Sequence, residues 1–169
     1  MGYTIFILII EVTMDNSVLY MKAAIEEAKK CALLDEVPVG AVIVKNGEII
    51  AACGNGRESE RDATAHAETS AIREACRKLG GWHLAGCELY VTLEPCLMCA
   101  GAIVNARLAK VVYGASDEKA GAMGSMTNIL DLPLNHKPIV EKGILEDECS
   151  ALLRDFFRQK RERGARWKK

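Results

Sequence analysis

One imidazole and two thiols stand at a spacing that suits a metal ion. Ala65-His66-Ala67-Glu68 is followed, after a spacer, by Glu94-Pro95-Cys96-Leu97-Met98-Cys99. His66, Cys96 and Cys99 make a three-ligand set for one Zn²⁺, which prefers four tetrahedral ligands and so keeps a position for water. Bound zinc pulls the pKa of that water towards neutrality. Glu68, two residues from His66, is placed to carry protons and is not needed as a ligand.

Taken singly, these residues have plainer readings. A lone His is commonly structural, and Cys-x-x-Cys is either a redox pair or half of a structural zinc site. A redox pair calls for a thioredoxin-like strand and no His-x-Glu upstream. A structural zinc calls for a fourth ligand, for which Cys87, Cys76, His83 and His136 are the spare donors. The combination favours a catalytic zinc. His-x-Glu entering one helix, a strand, then Pro-Cys-x-x-Cys entering another is the recognised signature of zinc-dependent nucleobase deaminases.

The elements that must position this set follow from the surrounding pattern. Asp15 or Asn16 is expected to cap a helix running to about Leu34, with Val18, Met21, Ile25, Ala28 and Ala32 on one face. Residues 39–45 read as a buried strand, Asn46-Gly47 as a two-residue hairpin turn and residues 48–53 as the partner strand. Asn55 lies in the Gly54-Asn55-Gly56 loop, where it either accepts a left-handed turn or bonds a base edge or ribose. Residues 57–62 read as charged loop, and a helix is expected over 64–79, closed by Gly80-Gly81. Residues two apart on a helix point about 200° apart. His66 and Glu68 therefore share a pocket only if the first turn opens onto it. Ala67, small, lets a ligand approach the backbone there.

Residues 88–93 read as a strand, and Pro95 as the first residue of the next helix, where its missing N–H costs nothing. Cys96 and Cys99 then share a face, and the helix N-terminus favours thiolates. A further strand is expected over 110–114, and a small, Gly-rich loop over 115–128 carries Asp117 and Lys119 as candidate contacts. A short strand over 138–141 and a terminal helix over 147–163 complete the pattern.

Composition sets the frame. A chain of 169 residues, half apolar and only 5% aromatic, builds one domain with an aliphatic core. The formal net charge of −1 hides an asymmetry: residues 154–169 carry eight Lys or Arg against two acids, and the rest is net acidic. That segment is either a solvated tail or the contact for a polyanion. Seven irregularly spaced cysteines do not form a disulfide framework, which points to a reducing, cytoplasmic setting. The apolar run over 5–10 is too short to span a bilayer, so no membrane partner is expected. The expected organisation is an N-terminal extension over 1–13, from a misplaced start or as an extra edge strand, a deaminase domain over 14–163, and a basic tail over 164–169.

At the zinc motif the sequence resembles the cytidine deaminase-like superfamily and, within it, the bacterial tRNA-specific adenosine deaminases. The likeness extends through Val37-Pro-Val-Gly-Ala-Val42, Tyr90-Val-Thr-Leu-Glu-Pro-Cys96, Cys99-Ala-Gly-Ala102, Tyr113-Gly-Ala-Ser-Asp-Glu-Lys119, Gly121-Ala-Met-Gly-Ser125, Leu134-Asn-His136 and Asp155-Phe-Phe-Arg158. It implies a three-layer α/β/α sandwich around a five-stranded mixed sheet, and a homodimer. It implies hydrolytic conversion of adenosine to inosine at the wobble position of a tRNA anticodon stem-loop, typically of an arginine tRNA. Carried over by position, His66, Cys96 and Cys99 hold zinc, Glu68 shuttles protons and Asn55 contacts the flipped adenosine. Asp117 and Lys119 then lie along the anticodon loop, and Phe156, Phe157, Arg158 and Arg161 hold nearby nucleotides. The chain departs from the pattern at Ala63, often Pro in the family, and at Gly56, where many members have Arg; here Arg57 comes one residue later. The rival reading is a free-base or nucleoside deaminase of salvage, which shares the zinc site and has no need of a basic terminal helix.

Overall fold

The structure, a computed structural model, describes residues 2–164 and their side chains from residue 16 onward. Its elements run α1 (Gly2–Leu33), β1 (Gly40–Lys45), β2 (Glu48–Gly54), α2 (Arg57–Glu60), α3 (Ala67–Leu79), β3 (Cys87–Leu93), α4 (Leu97–Ala106), β4 (Lys110–Ala115), a 3-10 turn (Ile129–Asp131), β5 (Ile139–Lys142) and α5 (Glu146–Glu162). The five strands form one sheet in the order β2-β1-β3-β4-β5. β1 pairs antiparallel with β2 and β3, while β3–β4 and β4–β5 are parallel. The mixed five-stranded sheet is thus as expected.

Period-two alternation divides the sheet's side chains between two cores. Ala41, Ile43, Leu89, Val91, Val111 and Tyr113 face one way, against Ala71 and Ala75 of α3 and Ile103 of α4. Val42, Val44, Tyr90 and Val112 face the other, against Tyr20, Met21, Ala24 and Ile25 of α1 and Cys149 of α5. Three layers result. The fully buried Ala67-Ala71-Ala75 stripe leaves α3 narrow, so its backbone packs close to the sheet.

The hairpin turn forms as the sequence indicates, with φ of 51° at Asn46 and 81° at Gly47. Three expectations are corrected. No helix begins at Asp15 or Asn16, and residues 2–13 supply no edge strand: α1 is already helical from Gly2 and runs to Leu33. Residues 57–60 form a one-turn helix where a loop was expected. Pro95 is not the first helical residue: Cys96 is the N-cap of α4 and Pro95 precedes it. The last five residues of the expected basic tail, 165–169, lie outside the described residues.

β3, α4 and β4 make a βαβ unit, so the N-terminus of α4 lies beyond the carboxyl end of β3, where α/β sheets place ligands. Seating α1 requires close approach: a Cβ on Gly40 would stand 1.9 Å from the Ala24 carbonyl oxygen. Gly40→Ala is therefore expected to cost about 3 kcal/mol or more, because both sides of the clash are backbone. Gly81→Ala, with nothing within 4 Å of its Cβ, is expected to be near neutral. Denaturant midpoints of the two variants check this.

Candidate metal centre and catalytic cavity

His66 and Cys96 are both helix N-caps. His66 (φ −80°, ψ 155°) precedes α3 and Cys96 (φ −73°, ψ 174°) precedes α4. The extended backbone at His66 meets the geometric condition for sharing a pocket with Glu68, which occupies the second position of α3. Cys99 is the third residue of α4. The loop before His66 is closed by the Gly56 N–H donating to the Ala65 carbonyl at 3.0 Å, and Asp62 accepts from both the N–H and the hydroxyl of Thr64 at 2.7 Å.

His66 Nδ1 lies 3.7 Å from Cys96 Sγ and 3.5 Å from Cys99 Sγ. A tetrahedral zinc with ordinary Zn–N and Zn–S bonds requires nitrogen–sulfur separations of about 3.6 Å. The three donor atoms all lie within 4.8 Å of one another, and they are the one such cluster among the described residues. The donor set fits a zinc ion with three protein ligands. No spare donor joins it: Cys76 Sγ faces the Trp82 carbonyl at 3.7 Å, His136 Nε2 lies 2.7 Å from the Leu108 carbonyl, and Cys87 is buried in the core.

Electrostatics follow from crowding four ionisable groups, His66, Glu68, Cys96 and Cys99, at two helix ends. The Cys99 thiol donates to Cys96 and the His66 ring adds to it, holding Cys96 down at about 3 as a thiolate. Cys96 and burial push Cys99 up. The bond to Cys96 raises His66. Glu68 is 4% exposed, and burial lifts its carboxyl to about 7 against the pull of its own N–H and the His66 ring.

His66, Glu68 and Cys96 share a cavity of about 210 Å³ with Asn55, Asp117 and Arg57. Lys119 lines a separate groove of about 670 Å³ with Phe157, Arg158 and Arg161 of α5. Two expected contacts stand elsewhere. Phe156 is 5% exposed, its ring against Phe157 at 5.4 Å, so it packs beneath the groove rather than facing it. Ala67 is fully buried in the core and does not line the cavity.

Sequence reasoning gave no role to two buried acids. Glu94 is 2% exposed and accepts backbone N–H bonds from Asp117 (3.0 Å), Met123 (3.0 Å) and Ser125 (3.1 Å). Burial pushes its carboxyl up, but the Ser125 hydroxyl and these N–H groups outweigh burial and hold it below its ordinary value. It thereby ties the 115–128 loop to the strand that ends at the cysteines. Glu36 is 1% exposed and accepts from Asn55 and Ser59. The signal for each was an acid abutting apolar residues, after Val91-Thr-Leu93 for Glu94 and ahead of Val37-Pro-Val39 for Glu36.

The sheet order and its flanking helices place the chain in the cytidine deaminase-like class. A model of the MafB19-like deaminase family matches residues 14–161. The chain is 53% identical over 151 residues to the tRNA-specific adenosine deaminase of Bacillus subtilis (strain 168), covering 89% of this chain and 94% of that one. A solved structure from work on A-to-I editing by tRNA:A34 deaminases at the wobble position of transfer RNA matches with TM-score 0.76 and 44% identity, over 79% of this chain and 98% of that one. Guanine deaminase from Bacillus subtilis matches less well, with TM-score 0.58 and 35% identity over 89% of this chain and 96% of that one. The chain belongs to the MafB19-like deaminase family and, within it, to the tRNA-specific adenosine deaminases.

The Glu94 clamp generates a prediction of its own. Glu94→Ala strands three backbone N–H groups, one of them on the buried Met123, and is expected to cost about 2–4 kcal/mol. Hydrogen exchange at Asp117, Met123 and Ser125 should accelerate well beyond that of the β3–β4 ladder.

Proposed function

We propose that this chain converts adenosine to inosine at wobble position 34 of a tRNA anticodon stem-loop, consuming water and releasing ammonia. The observation that carries the reading is one cavity lined by His66, Cys96 and the buried Glu68, with Cys99 completing the donor set against its wall. When bound, zinc supplies a Lewis acid and an open position at which water is acidified. His66, Cys96 and Cys99 hold it, one ion per subunit.

Glu68 is the catalytic acid–base. It accepts the proton that water gives up and delivers protons to the ring nitrogen N1 and to the departing amine. Burial keeps this carboxyl out of bulk water. Asn55 and Asp117 border the base in the same cavity. A base stacked in a duplex cannot enter, whereas an anticodon loop offers one at low unstacking cost.

The groove supports an RNA substrate over a free base. Lys119, Arg154, Arg158 and Arg161 line it with the half-exposed Phe157, a combination of phosphate-attracting cations and a stacking ring. Family resemblance points to an arginine tRNA and to a homodimer. Leu97 and Met126, apolar and 55% and 46% exposed, are surfaces that a second copy would cover. None of the seven cysteines is in a disulfide, which agrees with work in the cytoplasm. No helix among the described residues is long and apolar enough to cross a membrane. Residues 14–163 carry the deaminase domain, and 1–13 take no part in the chemistry.

The test is inosine formation and ammonia release on an adenosine-34 anticodon stem-loop by zinc-loaded protein, against free adenosine, cytidine and guanine. Editing of the RNA alone is expected, and it should weaken as salt rises. Turnover of a free base or nucleoside without RNA editing would assign the chain to salvage. Glu68→Gln should retain one zinc and lose at least about a thousandfold in turnover; near-normal turnover would remove Glu68 from the acid–base role.

A further inference from the structure

Four polar or charged side chains are buried in the described structure: Glu36, Glu68, Thr92 and Glu94. Glu68 belongs to the metal centre, Thr92 bonds the Gly40 N–H and Glu94 clamps the 115–128 loop. Glu36 remains. Its Oε1 accepts from the Ser59 N–H at 2.7 Å and the Ser59 hydroxyl at 2.9 Å, and its Oε2 accepts from Asn55 Nδ2 at 3.0 Å.

A carboxylate only accepts, so Asn55 must turn its amino end towards Glu36. Its Oδ1 then has no hydrogen-bond partner among the described residues. Among the described residues no buried side-chain polar atom is left unpaired, so this oxygen reaches open space, and the space Asn55 borders is the cavity of His66 and Glu68. We infer that Glu36 is a positioning residue that locks the Asn55 amide with its carbonyl oxygen towards the cavity, so that the site selects a hydrogen-bond donor on its ligand at that point.

The inference rests on the adenosine reading of the cavity. The ring nitrogens of adenine only accept; within an RNA chain the donors of the nucleotide are its 6-amino group and its 2′-hydroxyl. An Asn free to flip would meet either kind of group equally, whereas a locked one discriminates.

Glu36→Gln tests the lock because Gln keeps the size and reverses one end. The Ser59 N–H cannot turn round, so it keeps an oxygen opposite it and the new amino group faces Asn55. Asn55 must then flip, offering Oδ1 to Gln and its amino end to the cavity. Asn55→Asp in that background restores an oxygen on the cavity side. In the presence of Glu36 the same Asn55→Asp change sets two carboxylates against each other.

The experiment is steady-state deamination of the adenosine-34 stem-loop by the zinc-loaded full chain, together with ¹⁵N NMR of the Asn55 side-chain amide. Wild type should show one slowly exchanging Asn55 amide proton, exchanging at least about tenfold faster in E36Q. E36Q should lower kcat/KM about 10- to 100-fold with unchanged zinc content. E36Q/N55D should recover at least about tenfold of that loss and exceed N55D alone. Ser59→Ala leaves the Asn55 bond intact and should stay within about threefold of wild type; a merely scaffolding role for the cluster would bring both single variants down with no rescue. On a 2′-deoxyadenosine-34 stem-loop, loss of the E36Q penalty assigns the donor to the hydroxyl, and its persistence assigns it to the amine. An unprotected Asn55 amide in wild type, or an E36Q loss that the double variant does not restore, overturns the inference. A protected amide in a wild type that leaves the stem-loop unedited would instead overturn the adenosine reading and leave the lock standing.

Discussion

Everything at this site depends on two helix N-termini converging. α3 and α4 each begin with a residue in extended conformation, His66 and Cys96, and those two N-caps bring an imidazole nitrogen and two sulfurs together from residues some thirty positions apart. Helix starts carry unpaired N–H groups and positive partial charge, which favour the thiolate form a metal needs. The convergence is made by the sheet. β3 delivers Pro95 and Cys96 at its carboxyl end, and the Gly56–Ala65 backbone bond folds the loop after β2 back to meet them. The alanine stripe of α3 then sets the depth at which His66 sits.

Around that junction three glutamates are buried, and surroundings divide their work. Glu94 is surrounded by N–H donors and stays charged, so it serves as a clamp. Glu36 is satisfied by one serine and one amide, so it orients. Glu68 is buried with few compensating bonds, and its carboxyl rises to about 7, the range in which a carboxyl exchanges protons readily. One residue type thus takes three roles, each set by what faces it.

The His/Cys/Cys donor cluster, the glutamate beside it and the sheet were legible because each leaves a local mark. His-x-Glu and Cys-x-x-Cys are chemical patterns, Asn46-Gly47 is a turn by backbone necessity, and aliphatic alternation marks the strands. What was not legible depends on tertiary partners. Whether Cys96 caps α4 or lies inside it turns on where its sulfur must point, and Pro95 permits either. Phe156 and Phe157 are identical in sequence terms, yet the register of α5 buries the first and leaves the second 38% exposed on the groove. Glu36 and Glu94 bond to groups between 19 and 31 residues away, so no window of sequence contains both donor and acceptor. The start of α1 was misplaced for the opposite reason: Asp15 and Asn16 are good caps, and residues 3–13, rich in β-branched and aromatic side chains, carry no helix signal of their own, yet the helix runs through them from Gly2.

If His66, Cys96 and Cys99 are the only protein ligands, a bound zinc keeps one position for water. Zinc K-edge X-ray absorption on the loaded protein decides this: the expected shell is two sulfurs at about 2.3 Å and two nitrogen or oxygen atoms at about 2.0–2.1 Å. A third or fourth sulfur in that shell would make the site a closed structural one and remove the catalytic reading.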